Sequence, residues 1–356
     1  MQSHSTPDGS GSETSGRPAL SSAVPVASGA SHASAAGATS STGRAWGKVI
    51  LLGEHAVVYG VPALAIGIDR GAHATSMTTA DAKSRLDVAA WNVSVAEDDV
   101  STDLGRAFAA ILSAARALPV SRSAAIREAS VVVAAHAELP PGGGLGCSAA
   151  LGVAVARALV PESSAHEAAE LAMAWERVFH GNPSGIDAAV ASHGGSILFE
   201  KGSPMQSVPL KVGLTVCLGS TGVASSTKTM VDGVARLRER KPELVEKSFS
   251  GIASLVRNAR LALEAGDVVG LGKLMDLNQM LLSGLYLSTE EIERLCGSAR
   301  DAGALGAKLT GAGGGGCVVA LAADAAAAEG ILAAWKTAGF DGFAANVHAT
   351  GEEAAS

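Results

Sequence analysis

The segment Pro140-Pro141-Gly142-Gly143-Gly144-Leu145-Gly146-Cys147-Ser148-Ala149-Ala150 places four glycines and a serine directly ahead of a run with helical spacing. Glycines let backbone N–H groups approach an anion closely, and a following helix N-terminus adds partial positive charge, so the segment is suited to phosphate. No Gly-Lys-Ser/Thr closes it, which excludes a Walker A loop. Cys147 stands where a Rossmann fingerprint needs its third glycine, and Ala150 breaks the hydrolase pattern G-x-S-x-G. Taken alone, Ser148 reads equally well as a helix N-cap. Three further groups could do chemistry, and each also has an ordinary reading. Lys48 near a strand start is by default a solvated charge, Glu176 a residue on a wet helix face, and Asp187 ahead of Ala188-Ala189-Val190 an N-cap. A second glycine run, Gly311-Ala312-Gly313-Gly314-Gly315-Gly316, could be a flexible hairpin.

The elements that must hold these residues are legible from pattern. Residues 45–52 read as a strand closed by Gly53, with a charged loop over 53–56. A β-rich stretch at 131–135 runs through Glu138 into the first glycine loop, and 148–159 has a helical pattern. Ser164 with Glu167 forms a capping box ahead of a helix over 168–179, stopped by Gly181 and Pro183. A strand is expected at 214–218 and long helical segments over 230–282. Residues 307–310 lead through the second glycine run into a strand at 317–321. Strands and helices alternate in both halves, with no internal repeat. The division predicted is a Ser/Ala/Gly-rich disordered tail over 1–42, a first domain over 43–210 and a second over 211–350, the boundary falling near Pro209.

Composition narrows the partners. The chain has 356 residues, 47% hydrophobic and 17% charged, enough for one large or two ordinary domains. A formal charge of −7 and the lack of a Lys/Arg cluster argue against nucleic acid. No long apolar run of membrane-spanning type occurs. The four cysteines, Cys147, Cys217, Cys296 and Cys317, are far apart without a C-x-x-C pair, so neither zinc nor a disulfide framework is indicated and a reducing cytoplasm fits. The tail lacks a signal-peptide pattern, an organellar transit peptide being the alternative.

Four segments together carry a resemblance. The glycine loop is similar to the second motif of the GHMP kinases. Gly47-Lys48-Val49-Ile50-Leu51-Leu52-Gly53-Glu54-His55-Ala56-Val57-Val58-Tyr59-Gly60 resembles the first motif in its mevalonate kinase form. Lys308-Leu309-Thr310-Gly311-Ala312-Gly313-Gly314-Gly315-Gly316-Cys317 resembles the third, and Glu176-Arg177-Val178-Phe179-His180-Gly181-Asn182-Pro183-Ser184-Gly185-Ile186-Asp187 the mevalonate kinase active-site segment. The resemblance spans residues 45–320. It implies an α/β (α+β) GHMP kinase fold, with an N-terminal α/β domain, a ferredoxin-like C-terminal domain and the active site in the cleft between them. It further implies ATP and mevalonate as ligands, Mg²⁺ as cofactor, and a homodimer as a common assembly.

By that resemblance, Ser148 and Glu176 would hold Mg²⁺, and Pro141, Gly142, Gly143, Gly144, Leu145, Gly146, Cys147, Ser148 and Ala149 would cradle ATP. Asp187 would accept the proton of the substrate hydroxyl beside Lys48. Glu54, His55 and Thr227 match positions near the substrate, His55 toward either its carboxylate or a hydroxyl. His180 shares a helix face with Glu176, or bonds last-turn carbonyls. Three positions depart from the family pattern: Trp46 for a proline, Cys147 for a serine, and Ser225 for an arginine whose bidentate charge would be lost. Rival readings are another GHMP kinase, acting on a sugar, homoserine or phosphomevalonate, and a catalytically inactive ATP or metabolite sensor. A serine hydrolase built on Ser225-x-x-Lys228 fails for want of its partner motifs.

Overall fold

Two sheets are laid down in chain order, and the computed structural model describes residues 40–119, 123, 126–140, 142–181, 183–200 and 202–351. The first sheet comprises β1 (Ser40–Leu52), β2 (Ala63–Thr79), β3 (Arg85–Val88), β4 (Val93–Ala96), β5 (Ser130–Ala137), β6 (Ser196–Phe199) and β7 (Gln206–Ser207). Its order is β4-β3-β5-β2-β6-β7, with β1 running along the free side of β2. All pairings are antiparallel except β3 with β5. The second sheet holds β8 (Leu214–Ser220), β9 (Gly306–Thr310), β10 (Cys317–Ala322) and β11 (Asp341–Val347) in the order β11-β8-β10-β9, all antiparallel. With helices after β8 and β10, that 4-1-3-2 order is ferredoxin-like topology. Pro209 lies between the last strand of one sheet and the first of the other.

Nine α-helices are delimited among the described residues. Those of the first half are α1 (Asp103–Arg116), α2 (Cys147–Leu159), α3 (Ala165–His180) and α4 (Ile186–His193). Those of the second are α5 (Thr227–Arg240), α6 (Pro242–Ala265), α7 (Val268–Gly284), α8 (Glu290–Asp301) and α9 (Ala325–Thr337). The capping box at Ser164 is complete in both directions, which fixes where α3 begins and so where Glu176 falls on it. The helical segments expected over 230–282 are three helices, α5, α6 and α7. Pro242 can only sit in a first turn, and Gly266 ends α6 in the left-handed region, so neither can lie mid-helix.

β2 explains how the sheet is covered. Its first half, Ala63-Leu64-Ala65-Ile66-Gly67-Ile68, is apolar throughout because both faces are buried. Leu64, Ile66 and Ile68 join a core shared with β8 to β11 and their helices, whereas Ala63 and Ala65 pack with Ile186 and Val190 of α4. Past Gly71 the strand alternates, Ala72 and Ala74 packing with α1 to α3 and His73 open to water. The first core therefore continues from one sheet into the other.

One boundary differs from expectation. β1 starts at Ser40 rather than 45, because Ser41 Oγ bonds Ser76 Oγ at 3.0 Å and also donates to the Ala158 carbonyl, anchoring a polar stretch that carries no hydrophobic signal. The remainder of the expected tail, 1–39, lies outside the described residues.

Candidate active site

β1 carries Lys48 into the middle of the molecule, and the first glycine loop closes over it. Lys48 N–H donates to Leu145 O at 2.8 Å, and Lys48 Nζ donates to Gly144 O at 3.1 Å. Gly146, at φ 73°, is the residue where that approach demands glycine, since a Cβ there would sit 3.1 Å from Lys48 Cβ. The second glycine loop approaches from β9: a Cβ on Gly311 would be 3.8 Å from Gly144 Cα. The two glycine runs thus face each other.

Lys48 Nζ lies 3.2 Å from Asp187 Oδ1, with side chains 7% and 35% exposed. Asp187 is the second residue of α4, whose N-cap is Gly185 in the left-handed region. The N-cap reading of Asp187 is therefore corrected: the carboxylate sits inside the first turn, at the positive end of the helix. Ser148 is likewise not an N-cap, because Gly146 takes that position. Its hydroxyl donates to Glu176 Oε1 at 2.7 Å and accepts from Trp175 Nε1 at 3.2 Å. Glu176 is buried, not on a wet face, and its carboxyl is pushed above the ordinary range chiefly by burial. The charge of Asp187 pushes the same way, while the Ser148 bond, His180 and Lys48 oppose it. His180 Nε2, half-exposed, stands 3.7 Å from Glu176 Oε2.

The side chains of Leu145, Cys147 and Ala149 are buried, which leaves their backbone groups to offer a nucleotide. Cys147 Sγ donates to Leu139 O at 3.4 Å, and burial pushes its thiol up to about 11. Gly142 and Gly144 lie exposed on the loop, with Gly143 between them. Pro141 lies outside the described residues.

The expected substrate residues separate. Glu54, expected near the substrate, lies enclosed: its carboxylate is ion-paired with Lys308 Nζ, both side chains 0% exposed, and accepts from Asn278 Nδ2 at 3.2 Å. His55 adopts φ 61°, and its Nε2 meets Ala312 O at 2.7 Å. Burial holds its imidazole below the ordinary value, and the Ala312 bond opposes this. Thr227 opens α5 and is exposed. Its loop is tied to the second glycine run by Ser225 Oγ, which donates to Gly313 O, so the residue in the family's arginine position acts here as a loop clasp. Trp46 packs on Gly194 beneath the Arg157 guanidinium, 5.4 Å from its ring.

Sequence reasoning missed Trp175, Asn278 and the part played by Lys308. A signal existed for Lys308, a charge flanked by apolar residues in a fully buried strand, and for Trp175, whose N–H requires a partner when buried. Asn278 gave none.

A hydroxyl bonded to a buried carboxylate, a lysine–aspartate pair and two facing glycine loops are the parts of a small-molecule kinase, and the topology is that of the GHMP kinases. Residues 107–195 match the family model "GHMP kinases N terminal domain" and residues 259–341 match "GHMP kinases C terminal". Mevalonate kinase of Thermococcus sibiricus is 36% identical over 291 residues, covering 77% of this chain and 87% of that protein. The Pyrococcus horikoshii enzyme is 38% identical over 296 residues, covering 77% and 86%. The chain belongs to the mevalonate kinase family. Among solved structures, L. major mevalonate kinase in complex with R-mevalonate superposes with TM-score 0.78 at 27% identity, covering 88% of this chain and 98% of that one. Lactococcus lactis galactokinase complexed with galactose, at 19% identity and TM-score 0.66 over 87% and 94%, shares the fold.

Proposed function

We propose that this chain transfers the γ-phosphoryl group of ATP to the 5-hydroxyl of (R)-mevalonate, giving 5-phosphomevalonate and ADP in isoprenoid biosynthesis. The observation that carries this reading is the Lys48–Asp187 pair at 3.2 Å, held against the carbonyl of Gly144 in the phosphate loop. Asp187 accepts the proton of the attacking hydroxyl. Lys48 offsets the negative charge of that carboxylate and of the oxygen as it gains charge. The N–H groups of residues 142–149 and the start of α2 receive the phosphates, and the loop at 311–316 covers them from the other sheet. Transfer then depends on positioning and charge neutralisation.

Mg²⁺ fits the donors present. Ser148 Oγ and Glu176 Oε1 are adjacent hard oxygens, and the Glu176 carboxyl, whose charge is opposed by burial and by Asp187, gains from a cation. When bound, Mg²⁺ supplies neutralisation of the phosphate oxygens.

No helix among the described residues is long and apolar enough to cross a membrane. The four buried free thiols suit a reducing cytoplasm, and a homodimer is the assembly implied by family, which sedimentation tests. The activity is tested by ADP release with Mg·ATP and a panel of (R)-mevalonate, phosphomevalonate, galactose and homoserine. Turnover with mevalonate alone is expected; preference for another acceptor overturns the substrate assignment.

A further inference from the structure

Lys308 and Glu54 form an ion pair with both side chains 0% exposed, between a strand of one sheet and the loop that follows β1 of the other. Burial opposes both charges, raising the Glu54 carboxyl and lowering the Lys308 ammonium from their ordinary values. Apolar residues of similar volume often serve stability as well or better at such a place. A buried pair kept at that cost fixes position, and its surroundings say what it fixes. Lys308 Nζ also donates to Leu309 O, and Asn278 of α7 bonds the second oxygen of Glu54. Two residues beyond Lys308, Thr310 Oγ1 bonds both backbone groups of Ile50 at 3.1 Å. Two further on, Ala312 O meets His55 Nε2. Three successive contacts thus stitch β9 and its glycine loop to β1 and its exit, where His55 is held at a positive φ of 61° that is uncommon for a residue with a side chain.

The Ala312 bond also sets chemistry. A carbonyl oxygen only accepts, so Nε2 carries the proton and Nδ1 of the neutral ring is an acceptor. Among the described residues Nδ1 is buried without a partner, as is Asn278 Oδ1.

We propose that Lys308 is a positioning residue for the phosphoryl acceptor: by clamping Glu54 it holds His55 as the Nε2–H tautomer against Ala312, leaving Nδ1 as an acceptor for a donor hydroxyl. The kinetic part of this rests on the proposed function; the tautomer does not. The ring then selects an acceptor that brings a hydroxyl to Nδ1 and rejects a carboxylate there.

The test compares the full chain with the charge-neutral pair Lys308→Met with Glu54→Gln. The wild-type imidazole nitrogens of His55, read by ¹⁵N NMR, should show one neutral tautomer protonated at Nε2. In the double variant they should move toward averaged values, with KM for mevalonate up roughly 10- to 100-fold, KM for ATP within about threefold of wild type, and Tm not lowered. A double variant that keeps the tautomer and both KM values, or that loses only Tm, overturns the proposal. Should that variant fail to fold, Asn278→Leu keeps the ion pair but removes one restraint on Glu54. A smaller rise in mevalonate KM with partial tautomer averaging supports the proposal, and unchanged values of both overturn it. Wild-type protein that does not phosphorylate mevalonate refutes the functional reading, while the NMR comparison still decides the role of Lys308.

Discussion

Lys48 and Asp187 should act as one unit, and a double-mutant cycle measures it. At 3.2 Å, unit charges in an effective dielectric of about 20 interact by roughly 5 kcal/mol. Asp187 is 35% exposed, so screening reduces the usable part to roughly 1–3 kcal/mol. Lys48→Met should therefore lower kcat by roughly 5- to 150-fold. Asp187→Asn removes the proton acceptor as well and should lower kcat by about 10²- to 10⁴-fold, with nucleotide affinity within about threefold of wild type. Once Asp187 is gone, Lys48 keeps only its effect on the attacking oxygen, so adding Lys48→Met to Asp187→Asn should slow the enzyme by much less than Lys48→Met does alone. The assay is steady-state ADP release at saturating Mg·ATP and mevalonate, alongside binding of a fluorescent ATP analogue to each variant. If the two single costs multiply in the double variant, the residues act independently and the pairing argument is refuted.

Three further outcomes follow from the same geometry. Ser148→Ala should raise the Mg²⁺ concentration needed for half-maximal rate and, by stripping the buried Trp175 N–H of its partner, change tryptophan fluorescence; an unaltered Mg²⁺ titration contradicts Ser148 as a ligand. Gly146→Ala places a Cβ 3.1 Å from Lys48 Cβ at φ 73°, so it should cost about 1–2 kcal/mol in urea unfolding together with activity, and wild-type behaviour in both would show that the loop is not tight there. His55 is depressed by burial below its ordinary 6.5. The unfolded chain then binds the proton more readily, so its contribution to stability is present above about pH 6.5 and is lost as pH falls toward the folded value. His55→Asn, a residue that tolerates positive φ better than most, should flatten the fall in Tm on acidification, and an unchanged pH profile would contradict the burial argument.

What the sequence disclosed depended on whether a feature is local. The capping box at Ser164, the strand–glycine–helix run into α2 and the apolar run of β9 were readable because backbone geometry dictates residue type at short range. Long-range enclosure was not readable. Nothing near Glu54 in sequence reveals that Lys308, 254 residues away, fills its environment, or that the Glu176 carboxyl is covered. Ser148 shows the same limit, since a serine ahead of a helix is an N-cap by local rule. Only the fold brings Glu176 to its hydroxyl and lets Gly146 take the cap.

The central claim is that phosphate passes from ATP to one particular hydroxyl, and ³¹P NMR of the product from Mg·ATP and (R)-mevalonate tests it most directly. The account predicts a phosphomonoester on the 5-hydroxyl, appearing in step with ADP and absent with Asp187→Asn over the same period. Phosphate on the 3-hydroxyl, free phosphate in place of ester, or no transfer at all would contradict it.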